Sequence, residues 1–372
     1  MNPNFDDIRP YNDAEAVKAL RRCSLNPLTL KVSKFLYPDK SPFFLSRQLR
    51  KVSGVTDFQA SVMYGAIRSI ISQTSDGLEV EGVENLRRCG GACIIMSNHR
   101  DIVMDPALLQ VALMDAGLPC TELCVGSNLL SVRYVRDLMR SNRMIKVLRG
   151  LPAHESYEAS QTLSAYIRSG VVGQRRSVWI AQREGRAKDG HDATSQAVLK
   201  MLDMSGDKSF EANWLELPIV PMTISYEYES CDALRARELL ISRDCKYVKK
   251  PGEDVHSILT GIRQRKGGIR IIFGEPLRPD EIAAAGALKG NARYKALCAA
   301  IDARIVGNRH LWKTNCIAHD ILNADSKYAA RYSVQELEAF ETYMERQLDT
   351  VESSLDREEL RKIFLGIYAA QA

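Results

Sequence analysis

The chain has 372 residues, is 45% apolar and 26% charged, and carries a net charge of +5. This is ordinary globular composition, and so mild a charge favours an anionic ligand or surface while excluding a dedicated nucleic-acid binder. No window offers the roughly 18 unbroken apolar residues of a membrane span, so any membrane contact is expected to be peripheral.

Residues 1–7 are polar and acidic, unlike a signal sequence. Together with nine cysteines lacking paired metal-site spacing, they point to a reducing cytoplasm. Residues 1–75 read as a helical segment. Phe43-Phe44-Leu45 is followed by Arg47, Arg50 and Lys51, and Thr56-Asp57 is placed to cap a helix carrying Phe58, Val62, Ala66 and Ile70 on one face. That face is expected to pack on the main domain, the alternative being aromatic residues and cations resting on a bilayer. Strand-like runs follow at 78–82, 92–96, 121–125, 144–148, 177–181, 218–224 and 269–273. Helical patterns lie near 106–116, 128–140, 154–169, 192–203 and 254–266. The alternation predicts an α/β fold, a mixed, largely parallel sheet flanked by helices, over residues 76–285. Residues 286–372 read as a C-terminal helical extension docked on it, with Ser333 an N-cap and Glu336 its capping-box partner.

Four stretches carry chemistry. In Ser97-Asn98-His99-Arg100-Asp101-Ile102-Val103-Met104-Asp105-Pro106, a histidine and two carboxylates occupy a strand-to-helix turn, where α/β folds place ligands. His99 can accept a hydroxyl proton, and a carboxylate on its other nitrogen would fix the tautomer. The plain alternatives are Asp105 as an N-cap and Asp101 as a turn residue. Next, Arg133, Arg136, Arg140 and Arg143 fall within an arc of roughly 80° at ~100° per residue, and Lys146 and Arg149 extend the charge. Such guanidinium forks suit phosphate or an anionic lipid surface. Third, Arg183-Glu184-Gly185-Arg186 closes a strand with two cations able to converge on an anion, Glu184 able to hold one in place, and Gly185 permitting a tight turn. Last, Pro221 inside a strand-like run predicts an edge position or a bulge that could shape a pocket wall.

Taken together these resemble the glycerol-phosphate acyltransferase family, over roughly residues 77–280. Asn98-His99 with Asp105, the basic strand ending in Arg149, Arg183-Glu184-Gly185-Arg186 and Val220-Pro221-Met222-Thr223-Ile224 stand in the family's order. The resemblance implies transfer of an acyl group from acyl-CoA or acyl-acyl carrier protein to a hydroxyl of glycerol-3-phosphate or lysophosphatidate in membrane lipid synthesis. His99 would be the general base, with Asp105 its first-choice orienting carboxylate and Asp101 the second. Arg149, Arg183 and Arg186, supported by Lys146, would hold the acceptor phosphate beside Glu184, Gly185 and Pro221. No metal or tightly held cofactor is implied, and the expected location is the inner face of the cytoplasmic membrane. Two departures stand out: five residues separate His99 from Asp105 where the family usually has four, and Ala187 follows Arg186 where a hydroxyl residue is common. They keep open a non-phosphate acceptor, such as an amino-acid lipid head group. A hydrolase and a non-enzymatic lipid-surface binding protein are the remaining alternatives; no Gly-x-Ser-x-Gly elbow favours the former.

Overall fold

In the computed structural model, which describes residues 4–243, 245 and 247–372, all seven predicted strands form within about three residues of their expected bounds. They are β1 (Ser75–Glu81), β2 (Ile94–Ser97), β3 (Glu122–Gly126), β4 (Met144–Val147), β5 (Val178–Ala181), β6 (Ile219–Tyr226) and β7 (Gly267–Phe273). They make one sheet in the order β1-β7-β6-β2-β5-β3-β4. Among the described residues, only the β6/β7 pair is antiparallel, so the sheet is mixed and largely parallel. The five strands from β6 to β4 therefore point their carboxyl ends the same way.

The period of two along each strand sends alternate side chains to two cores. Ile94, Met96, Val178, Ile180 and Ile219 pack under the helices Ala153–Arg168 and Asn291–Gly307. Ile95, Trp179, Val220, Met222, Ile224 and Ile271 pack under Tyr64–Thr74 and Met104–Asp115. The helix Asn291–Gly307, from the C-terminal extension, is thus one cover of the sheet through Leu297, Ile301 and Ile305. The last helices, Lys313–Asn323, Val334–Leu348 and Arg357–Ala369, share a separate core with Asp232–Ile241. Ser333 and Glu336 form the expected capping box.

Pro221 corrects an expectation. Its strand is central, flanked by β2 and β7, with no bulge registered there. The ring is tolerated because the β7 ladder starts one residue later, at Met222, while the Pro221 carbonyl still accepts from Gly274. Pro221 is buried, so it forms no open pocket wall. The helices Val83–Arg88, Phe210–Leu215 and Asp232–Ile241 were not expected, the first two being too short to show a period.

The predicted N-terminal face is buried as expected: Phe58, Val62, Ala66 and Ile70 are 0–6% exposed. A π-helical turn at Gln59–Met63 divides it. Phe58 and Val62 join a small N-terminal core with Tyr134 and Leu138, whereas Ala66 and Ile70 pack on the sheet. That helix starts at Val55, and Asp57 closes the preceding turn by accepting from the Ser53 amide at 2.8 Å. No described helix is long and apolar enough to cross a membrane.

Candidate active site

β2 is fully buried and ends at Ser97, which delivers residues 98–105 to the carboxyl edge of the sheet. Asn98 locks this turn to β6: its Oδ1 accepts from the Ile224 amide at 2.9 Å and its Nδ2 donates to the Ile224 carbonyl at 3.0 Å. His99 Nδ1 lies 2.8 Å from Asp105 Oδ2. The same oxygen accepts from the amides of Arg100 and Asp101 at 2.6 and 2.9 Å, and Oδ1 accepts from the Tyr226 hydroxyl at 2.7 Å. Asp105 is fully buried, whereas the His99 side chain keeps 15% exposure. A buried carboxylate needs such compensation. Burial beside Asp105 pushes the Tyr226 hydroxyl well above its ordinary range, so it remains a donor. The His99 ring meets Trp179 edge-on at 5.7 Å, and the indole is fixed by donating to Ser97 Oγ at 2.9 Å.

Asp101 has a different job. Its Oδ1 accepts from the amides of Val103 and Met104 at 2.8 and 2.7 Å, capping the helix Met104–Asp115, and its Oδ2 accepts from the Ser230 hydroxyl. The capping role considered for Asp105 thus falls to Asp101, and Asp105 is free to face His99.

Beneath the turn lies an ion network that sequence reading missed. Arg100 is 1% exposed and donates to Asp192 Oδ2 at 2.6 Å and to the Gly190 carbonyl at 3.0 Å. Arg309 reaches the same Asp192 oxygen at 3.1 Å, and Arg235 joins Glu229 at 2.6 Å while donating to the Ala187 carbonyl at 2.7 Å. Ala187 in turn donates to the His99 carbonyl at 2.9 Å. The loop after β5 is therefore tied to the turn after β2 by buried arginines. A buried arginine is rare without a partner, but the partner's position in the sequence is invisible beforehand.

The basic residues divide. Gly185 adopts the left-handed conformation (φ 73°) that its turn demands. Arg183 and Arg186 are half-buried, and among the described residues neither has a carboxylate partner. Arg149 stands just beyond the end of β4 and crosses Gly126, where an added Cβ would lie 2.9 Å from its Nε. Glu184 is only 3.7 Å away. These residues share the carboxyl edge with His99. Lys146 does not stand free: it pairs with Asp7 at 2.8 Å, where residues 5–9 cover the edge of β4. Arg140 and Arg143 are also engaged, donating to the Arg9 carbonyl and to Gln59 and Thr56 respectively. The basic face is thus partly a clasp for the N-terminal helices, leaving Arg133 exposed.

A family model described as acyltransferase matches residues 77–225, the stretch that runs from β1 to the end of β6. The matched stretch is thus similar to acyltransferases over residues 77–225. It contains His99, Asp105, Arg149, Arg183 and Arg186, while Arg235 and Arg309, which buttress it, lie outside. Among solved structures, the chain is similar to the 1-acyl-sn-glycerophosphate (LPA) acyltransferase PlsC from Thermotoga maritima. The identity is 13% and the TM-score 0.42, with 77% of this chain and 91% of that chain covered. No curated protein matches.

Proposed function

We propose that the chain transfers a fatty acyl group from a thioester donor, acyl-CoA or acyl-acyl carrier protein, to a hydroxyl of a glycerol-phosphate-type acceptor. The observation that carries this reading is the His99–Asp105 pair at 2.8 Å on the carboxyl edge of β2, inside the matched domain. With Asp105 on Nδ1, the proton belongs there and Nε2 is left to accept one. His99 takes the acceptor's hydroxyl proton as the oxygen attacks the thioester carbonyl. The tetrahedral intermediate collapses to the ester, and the departing thiolate receives that proton from the imidazolium. A positioned base of this kind contributes roughly 10²–10⁴-fold. Arg149, Arg183 and Arg186 are the cations available on the same edge for the acceptor phosphate. Contact with the inner face of the cytoplasmic membrane is supported by exposed Phe43, 54% accessible and followed by exposed Arg47, Arg50 and Lys51.

The test offers labelled palmitoyl-CoA or palmitoyl-acyl carrier protein to purified wild type and His99→Ala, with glycerol-3-phosphate, lysophosphatidate or monoacylglycerol as acceptor. Transfer to a phosphate acceptor, abolished in a folded His99→Ala, is the expected result. Transfer to monoacylglycerol alone would discard the phosphate roles of the arginines. Equal rates in both proteins would overturn the base assignment.

A further inference from the structure

A cavity of about 430 Å³ opens beside the active-site loop, lined among others by Arg186, Arg237, Lys250, Glu253, His256 and Glu352. Arg186 directly precedes Ala187, whose amide holds the His99 carbonyl, so one end of the cavity adjoins the catalytic turn. Its other walls come from the helix Asp232–Ile241, the first turn of Glu253–Arg263, and residues 350–352. All of these lie beyond the matched domain at 77–225.

The charges lining the cavity do not balance once their existing partners are counted. Glu352 is held by Arg237 through two contacts of 2.5 and 2.6 Å. Glu238 is paired with Lys188. Glu253 accepts from the Tyr247 hydroxyl at 2.6 Å and the Lys250 amide at 3.0 Å. Arg235 is paired with Glu229. Among the described residues, that leaves the cations Arg186 and Lys250 without a carboxylate partner, with the His256 imidazole beside them, against the one carboxylate, Glu253, that no cation pairs; Arg186 Nη1 is moreover buried with no hydrogen bond at all. A buried guanidinium donor left open is costly, and a phosphate oxygen would satisfy it with a charge-assisted bond. The volume is that of a small-molecule site, roughly 300–1,000 Å³, and exceeds what a bare phosphate fills.

We propose that this cavity holds the head group of the acyl acceptor, a phosphate-bearing polar group larger than phosphate itself, through Arg186, Lys250 and His256. The proposal rests on the acyl-transfer reading above and adds that segments outside the matched residues 77–225 select the acceptor. Lys250 and His256 are exposed, so their replacement leaves the fold intact.

Calorimetric titration of the full chain with soluble head groups tests it: sn-glycero-3-phosphoglycerol as phosphodiester, sn-glycerol-3-phosphate as monoester, glycerol as neutral control, and coenzyme A as donor control. Wild type is expected to bind the phosphodiester at least as tightly as the monoester and to ignore glycerol. Lys250→Ala with His256→Ala is expected to weaken both phosphates at least about tenfold, the loss of one or two charge-assisted bonds, with coenzyme A binding unchanged. Unchanged phosphate binding, no binding by wild type, or selective loss of coenzyme A would each overturn the proposal. The readout needs no turnover. Head-group binding with this mutant pattern but no acyl transfer would therefore sink the enzymatic reading while the anion site stands. Acyl transfer indifferent to both substitutions would sink the site alone.

Discussion

Asp105 Oδ2 lies 2.8 Å from His99 Nδ1 although five residues separate the two in sequence. The extra residue is absorbed because Asp105 sits inside the first turn of the helix Met104–Asp115, behind a cap provided by Asp101. The amides of Arg100 and Asp101 then fold back onto the same carboxylate oxygen. Asp105→Asn keeps the shape but presents an amide where, on the proposed mechanism, the carboxylate stabilises an imidazolium. Acyl transfer is expected to fall roughly 10²–10⁴-fold, with unchanged circular dichroism. A rate within about threefold of wild type would show that Asp105 does not orient the base.

Asp101→Ala separates the two acids. It removes the cap on Val103 and Met104 and the bond to Ser230. Loss of a cap costs about 1 kcal/mol, and the stranded buried hydroxyl adds a further ~1–3 kcal/mol. A lower denaturation midpoint is expected with a rate loss well below that of Asp105→Asn. The reverse ordering, Asp101→Ala crippling the rate more deeply than Asp105→Asn, would reassign the orienting carboxylate.

Asp192→Ala probes the buttress. Asp192 is the shared partner of Arg100 and Arg309, and Arg100 is 1% exposed. Breaking a buried pair from one side leaves an uncompensated charge, worth about 3–5 kcal/mol. Urea unfolding should show that loss. Because Arg309 lies outside the matched residues 77–225, the same measurement asks whether the C-terminal segment supports the turn that carries His99: Arg309→Ala should destabilise, but by less, since Arg100 still neutralises Asp192. If Arg309→Ala proves neutral, the C-terminal segment plays no such part.

Much of this arrangement was legible in the residues themselves. Buried parallel strands are continuous apolar runs, as in Ile94-Ile95-Met96, and the turn after β2 announces its polar residues by contrast. The short chain after His99 put two carboxylates, Asp101 and Asp105, within reach of it in advance, and only the family resemblance favoured Asp105. What could not be read was every partner brought from far away: Tyr226, 121 residues from Asp105, or Asp192, 92 from Arg100. Pro221 misled because a missing N–H usually marks an edge, whereas here the neighbouring ladder simply begins one residue on. The arginine face misled for a related reason. A periodic cationic stripe looks the same whether it meets phosphate or, as with Arg140, the carbonyls of its own N-terminal segment.

Lys266 gives the chain a pH signature of its own. The residue is 1% exposed, and its ammonium is surrounded by Thr74 Oγ1 and the carbonyls of Ile262 and Gln264. Burial depresses it from 10.5 to about 8, with the charge of Asp101 opposing the shift. Above pH 10.5 the amine is neutral in both folded and unfolded chains, and no penalty arises. Between that pH and about 8 the unfolded chain binds the proton more readily, so stability falls as pH falls through this window. Below about 8 both states are charged and the full penalty persists. At about 1.4 kcal/mol per pH unit the penalty is roughly 3 kcal/mol. Lys266→Met removes the titrating group. The stability gap between variant and wild type should therefore shift in the variant's favour as pH drops from 10.5 to 8 and level off below. A gap independent of pH across that window would mean that Lys266 titrates at its ordinary value in the folded chain.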